Sequence, residues 1–333
     1  MSFLKVKDLS VFFKRNTNDT QKAFAYKKDI QVVNTVSFEI EPSQIFGIVG
    51  ESGCGKSITA YSLMGILPNN AYSEGEIIFN GQNLTTLSGE QRRKLRGNQI
   101  SMVFQEPMTS LNPVFTIGYQ IAEVLMTHKG FNKGKAMTKA VELLNAVKIP
   151  SPELRVKDYP HQLSGGMRQR VMIAMAIACT PAILIADEPT TALDVTIQSQ
   201  ILKLIDKIKK DMGMSILLIT HDLGIVYENT DRVCVMYAGR FLETAKTIEL
   251  FKNPRHPYTI GLLKSLPVNK NIPLSPIPGI VPRPDNLPEG CKFSNRCLFA
   301  LEACKEQEPD LMPVSDEHYV RCIRAGEHLW KMA

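Results

Sequence analysis

The chain has 333 residues, of which 44% are hydrophobic and 22% charged, and its formal net charge is +6. This length holds one large domain with appendages around a sizeable core, and the composition is that of an ordinary soluble globular protein. No run approaches the roughly 18–20 apolar residues that span a bilayer, and the start, Met1-Ser2-Phe3-Leu4-Lys5, lacks the basic segment and long apolar core of a signal peptide; the modest charge is that of a solvated surface.

The first 45 residues alternate apolar and polar in short bursts, Leu4-Lys5-Val6 and then Val36-Ser37-Phe38-Glu39-Ile40. This period-two pattern predicts antiparallel strands. The polar stretch from Arg15 to Asp29 reads as an exposed hairpin loop. Strand, glycine loop and helix follow: Ile45–Val49, Gly50–Gly55, and a helix from Lys56 to about Leu67. The loop, Gly50-Glu51-Ser52-Gly53-Cys54-Gly55-Lys56-Ser57, matches G-x-x-x-x-G-K-[ST] in the strand-to-helix context the motif requires. Its glycines let backbone N–H groups of Gly50, Ser52, Gly53, Cys54 and Gly55 converge on a β-phosphate, and the helix N-terminus adds positive potential. Lys56 then bridges β- and γ-phosphates and Ser57 ligates Mg²⁺.

Further strands are predicted at Glu76–Phe79 and Ile100–Phe104. From Ile117 to Val147 the apolar spacing turns to three and four, with Ile121, Val124, Leu125, Val141 and Leu144 in register for a helical insertion. Leu163-Ser164-Gly165-Gly166-Met167-Arg168-Gln169-Arg170 follows it, a serine and two glycines where a helix begins, with a hydroxyl and bare N–H groups open to an anion. A buried strand, Ile183–Ala186, delivers Asp187-Glu188 at its end. Ile197, Ile201, Leu204, Ile205, Ile208 and Met212 share one face of the next helix. Strands at Ser215–Thr220 and Arg232–Tyr237 complete an alternation of strand and helix, which predicts a mostly parallel α/β sheet covered on both sides.

After Pro254 the composition shifts. Seven prolines lie between Pro267 and Pro288, too many for a helix or a central strand. The expectation is a meandering arm, residues 254–333, ending in a small tail that carries Cys291, Cys297, Cys304 and Cys322. Four thiolates in an irregular segment suit either an Fe–S cluster or Zn²⁺; the C-x2-C pairs usual in zinc ribbons are missing, which favours iron.

The run from Leu163 to Arg170, between the phosphate loop and an acidic strand end, resembles the signature of ABC-type ATPases. The resemblance covers roughly residues 3–265 and implies a P-loop ABC-type nucleotide-binding fold: a mostly parallel core sheet, an antiparallel β subdomain and a helical subdomain at about 108–165 within residues 1–253. It implies that Ser164, Gly165, Gly166 and Gln169 act in trans on ATP bound by a second ATPase subunit. By the same resemblance Asp187 would hold Mg²⁺ with Ser57 and Gln105, Glu188 would polarise the attacking water, Gln105 would be the Q-loop amide, His221 would contact the γ-phosphate, and Asp194 of Ala192-Leu193-Asp194 would be the D-loop. Phe13 is the expected adenine contact, with Phe12 as the alternative. Asp194 equally suits an N-cap.

Gln105–Pro113 and Asn253–Thr259 resemble segments of the ATPases that drive peptide and nickel importers. The four-cysteine spacing resembles the tail of the dipeptide-permease type, which holds a [4Fe–4S] cluster. The implied machine is a bacterial importer of di- or oligopeptides: this ATPase, a second homologous one in a heterodimer, two integral-membrane permeases and, indirectly, an external solute-binding protein. The chain would sit at the cytoplasmic face of the inner membrane, without nucleic acid. The alternatives are a nickel or small-solute importer and, more remotely, a non-transport ABC ATPase acting on nucleic acid or ribosomes.

Overall fold

The computed structural model describes residues 3–15, 29–106, 110–191, 193–266 and 277–327. Contacts divide the chain into two units, residues 1–40, 45–85 and 220–333 in the first and residues 41–44 and 86–219 in the second.

The first unit opens with β1 (Leu4–Phe13) and β2 (Ile30–Ile40), paired antiparallel, so the N-terminal hairpin forms; residues 16–28 of its loop lie outside the described residues. Strand β3 (Ile45–Val49) is buried throughout and feeds α1 (Lys56–Met64). That helix ends three residues before the expected Leu67, because Gly65 turns left-handed at φ 64° and caps it with N–H bonds to the last turn. Strand β4 (Ala71–Phe79) starts five residues before the predicted Glu76, and with β5 (Gln82–Asn83) it completes an antiparallel sheet in the order β2-β1-β4-β5.

In the second unit a capping box at Ser88 and Gln91 starts α2 (Gly89–Leu95). Strand β6 (Ile100–Val103) follows. The insertion expected over 117–147 is two helices, α3 (Ile117–Lys129) and α4 (Lys133–Ala146). Gly130, at φ 64°, breaks the first, and Asn132 caps the second by accepting from the Lys135 N–H. Helix α5 (Pro152–Arg155) and α6 (Gly165–Ile177) lead to β7 (Ile183–Asp187). The amphipathic α7 (Val195–Met212) buries Ile201, Leu204, Ile205 and Ile208 and returns to β8 (Ser215–Thr220). Strands β6, β7 and β8 are parallel, in the order β8-β7-β6, and nearly every residue in them is buried, as the unbroken apolar runs predict.

The chain then returns to the first unit through α8 (Leu223–Asn229), β9 (Arg232–Tyr237), β10 (Arg240–Lys246), α9 (Thr247–Lys252) and α10 (Pro257–Lys264). Strand β3 pairs parallel with β9, and β10 antiparallel with β9. The cysteine tail, with α11 (Ala303–Glu306), β11 (Met312–Ser315) and β12 (His318–Val320), extends this sheet to the order β11-β12-β10-β9-β3. One apolar cluster joins Val49 of β3, Val233 and Val235 of β9, Tyr258 of α10, and Cys291, Phe293 and Cys304 of the tail. The tail therefore borrows a core it is too small to build. Buried Glu243 of β10 fastens it, accepting from the Arg255 and His256 N–H groups and pairing with His318 Nε2 at 2.8 Å. Among the described residues no helix is long and apolar enough to cross a membrane.

Candidate functional site

In the first unit, the loop after β3 is shaped for an anion. A Cβ on Gly50 would lie 2.1 Å from the Met236 carbonyl oxygen, so only glycine fits there, and Gly55 adopts φ 108° as the residue before α1. Lys56 is 5% exposed, and its Nζ donates to the carbonyls of Gly50 at 2.8 Å and Glu51 at 3.0 Å. A lysine so held is already aimed into its own loop, where exchanging two carbonyls for phosphate oxygens converts neutral acceptors into charged ones. Ser52 and Gly53 are exposed, and Cys54 is buried, its thiol pushed up by burial. Ser57 lies in the first turn of α1 and His221 directly follows β8, exposed.

Phe13 and Phe12 are both half-buried at the end of β1, so strand alternation does not send either of them fully into the core. Phe12 stacks on Tyr72, ring centroids 5.1 Å apart, and Phe13 is the one without a ring partner among the described residues.

In the second unit, β7 delivers Asp187, fully buried, and Glu188. Glu188 accepts from Gln105 Nε2 at 2.9 Å and from Thr191 Oγ1 at 2.8 Å. Its backbone is left-handed, at φ 44°, and its N–H is tied to the Ile219 carbonyl at 2.8 Å. A non-glycine residue in that region stores about 1–3 kcal/mol of strain, which clusters at functional sites. Thr191 had no distinguishing signal in the sequence beyond standing three residues after the acidic pair.

Ser164 caps α6, its hydroxyl accepting from the Met167 N–H at 3.4 Å, and with Gly165 it is exposed. A Cβ on Gly166 would approach Ile197 of α7 to 2.8 Å, so this glycine lets the two helices close. Gln169 is different: it is 1% exposed, and its Nε2 has no hydrogen-bond partner among the described residues. Asp194 is exposed and caps α7 by accepting from the Ile197 N–H at 2.9 Å. Ala192 and the Pro107–Thr109 part of the segment after Gln105 lie outside the described residues.

The four tail cysteines line one cavity. Burial raises three of the thiols, Cys291, Cys297 to about 11 and Cys322 to about 12, with neighbouring cysteines adding to the effect. Backbone N–H groups point at all four sulfurs, from Phe293 to Cys291, Phe299 to Cys297, Leu301 to Cys304 and Arg324 to Cys322. Among the described residues no three Cys, His, Asp or Glu side chains are grouped to hold a single metal ion.

Two unpredicted contacts reach the phosphate loop from the tail region. Arg296, 7% exposed, forks onto the Glu51 carboxylate at 2.7 and 3.0 Å, and Tyr258 accepts from the Glu51 N–H at 3.0 Å. Burial works against the arginine's charge, and its bonds to Glu51 hold its pKa above the ordinary value.

Residues 33–191 match the ABC transporter family model, and residues 242–304 match the oligopeptide/dipeptide transporter C-terminal region. A probable peptide ABC transporter ATP-binding protein of Sinorhizobium fredii is 50% identical over 297 residues, 88% of this chain and 89% of the relative. The oligopeptide transport ATP-binding protein OppD of Bacillus subtilis is 48% identical over 323 residues, covering 96% and 87%; that of Salmonella typhimurium is 48% identical over 315 residues, 94% of each. Among solved structures, the ATP-binding cassette MJ0796, a dimer in a post-hydrolysis state bound to ADP and Pi, superposes with a TM-score of 0.63 at 26% identity, over 73% of this chain and 98% of that one.

Proposed function

The chain belongs to the ATP-binding subunits of ABC transporters, in the oligopeptide/dipeptide transporter group, and from that premise we propose that it binds and hydrolyses ATP to drive import of di- or oligopeptides. The observation that carries the reading is the held carboxylate of Glu188, fixed by Gln105 and Thr191 at the end of a buried strand. Relatives at about half identity over nearly the whole chain are named as peptide import or oligopeptide transport ATP-binding proteins.

In this reading the N–H groups of Gly50, Ser52, Gly53, Cys54 and Gly55 bind the phosphates together with Lys56, and Phe13 stacks on adenine. Ser57, Gln105 and Asp187 would supply the hydroxyl, amide and carboxylate oxygens that a hard divalent cation takes, and a Mg²⁺ held by them would offset charge on the phosphoryl group. Glu188 orients and polarises the attacking water, and His221 contacts the γ-phosphate. Ser164, Gly165 and Gly166 serve ATP on a second ATPase subunit, and Asp194 couples the two sites. Gln169, the fourth residue expected to act there, is buried. Residues 1–253 act as the ATPase body, with a helical subdomain at about 108–165 that meets the permeases, and residues 254–333 as an appended arm. The protein works peripherally at the cytoplasmic face of the inner membrane, with a homologous ATPase, two permeases and an external binding protein.

The tail holds a [4Fe–4S] cluster on Cys291, Cys297, Cys304 and Cys322. Four sulfurs around one cavity, each facing a backbone N–H, support it. Its role is structural, stapling a proline-rich segment onto the core.

The test is uptake. Cells carrying the intact system should accumulate labelled tripeptide, and Lys56→Ala in this subunit should abolish it. Loss of nickel uptake with peptide uptake unaffected would replace the peptide reading with the metal-importer one.

A further inference from the structure

Glu51, the second residue of the phosphate loop, places a carboxylate in a segment read as a phosphate site. A carboxylate beside a site built for a polyphosphate repels its ligand unless its charge is compensated. The structure supplies the compensation from 245 residues away. Arg296 presents two parallel N–H bonds to the carboxylate, at 2.7 Å to Oε2 and 3.0 Å to Oε1. Two further donors go to the carbonyls of Pro278, at 2.8 Å, and Gly279, at 3.2 Å, and its guanidinium lies 5.7 Å from the Tyr237 ring centroid. The arginine is therefore held on several sides, with one end fixed in the tail turn Ser294–Arg296 and the other on the loop. The bidentate fork also sets the direction of the Glu51 side chain, and the Glu51 N–H is fixed by Tyr258 at 3.0 Å. The same residue's carbonyl is one of the two that hold Lys56.

We propose that Arg296 is a positioning residue for ATP binding: it neutralises Glu51 and turns its carboxylate away from the phosphates, so that the cysteine tail sets the affinity of the nucleotide loop. The proposal rests on the ATPase reading above. It gives the tail a task beyond its own cohesion, since the residue that meets the loop is the immediate neighbour of Cys297.

Calorimetric titration of ATP against the full chain tests it at low and high salt. Arg296→Gln leaves the carboxylate unpaired, and ATP should bind about tenfold more weakly, the worth of roughly one hydrogen-bonded charge. At about 0.5 M salt the deficit should shrink, because the repulsion is screened. The double variant Glu51→Gln/Arg296→Gln should return to within about threefold of wild type, since no charge then needs neutralising. In turnover assays the loss should fall on KM, with kcat held. An unchanged affinity in Arg296→Gln overturns the proposal, as does a loss equal at every salt and not restored by the second substitution, which marks a defect of folding. Glu51→Gln alone reads the same question with the tail intact: affinity equal to wild type or tighter supports the charge argument, and a tenfold loss refutes it. A wild-type chain that binds no ATP overturns the ATPase reading itself and this inference with it.

Discussion

Gln105 Nε2 donates to the carboxylate of Glu188 at 2.9 Å, across 83 residues of sequence. The bond fixes one carboxylate oxygen, and Thr191 Oγ1 binds the same oxygen, Oε2, at 2.8 Å. The other oxygen is thereby given a direction by a backbone that is itself constrained at φ 44°. Gln105 thus sets the direction of the carboxylate proposed as the base, through its Nε2–H.

Glu188→Gln should remove the base and leave the binding loop intact. Steady-state hydrolysis should fall by about 10²–10⁴-fold, the usual worth of a general base, while ATP affinity is kept and a closed, ATP-loaded dimer accumulates on size-exclusion chromatography. Undiminished turnover in this variant would sink the assignment.

Gly50→Ala should abolish tight ATP binding. The new methyl would stand 2.1 Å from the Met236 carbonyl and 2.9 Å from Cys54 Sγ, and the first of these is backbone that cannot swing aside. The loop has to move, taking with it the Gly50 carbonyl that holds Lys56. Overpacking of this kind costs about 1–3 kcal/mol, so the melting temperature should drop together with affinity. A fully stable Gly50→Ala chain with wild-type affinity would show that the loop relaxes elsewhere.

Anaerobic purification followed by iron, sulfide and zinc analysis should find about four irons and four sulfides per chain, with broad visible absorption from the thiolate-bound cluster. Cys297→Ser should lose both iron and absorption. One zinc per chain would mean that the four sulfurs close in around a smaller ion; metal-free protein with an ordered tail would leave the apolar cluster of Tyr258, Phe293 and Cys291 as the whole of its cohesion.

The parts legible in the sequence are those whose chemistry is local. Lys56 and Ser57 follow their glycines at fixed spacing, Asp187-Glu188 ends an apolar run, and β7 and β8 are unbroken apolar segments. Each is read from a few adjacent residues. Arg296 and Glu51 are not legible, because an arginine before a cysteine and a glutamate in a glycine loop carry no mark of each other across 245 positions. Glu243 and His318, 75 residues apart, are the same case: only packing of the tail against β10 makes them neighbours. The break at Gly130 was open to reading, since glycine followed by the capping residue Asn132 ends one helix and starts the next.

His256 gives the tail junction a pH dependence with a definite sign. The ring is 1% exposed, and its Nδ1 accepts from the Tyr258 N–H at 3.0 Å, capping α10. Burial pushes its pKa down to about 3, so it stays neutral in the fold, whereas an unfolded histidine protonates near 6.5. The unfolded chain therefore binds the extra proton between these values, and stability is full above about pH 6.5 and declines as pH falls toward 3. From pH 7 to pH 5 this one group should remove about 2 kcal/mol, lowering the melting temperature measurably. His256→Asn keeps an oxygen to accept from Tyr258 and cannot titrate, so it should flatten this part of the profile. If the variant melts with the same pH slope as wild type, the acid sensitivity arises from other groups and His256 is not the buried neutral cap that its surroundings require.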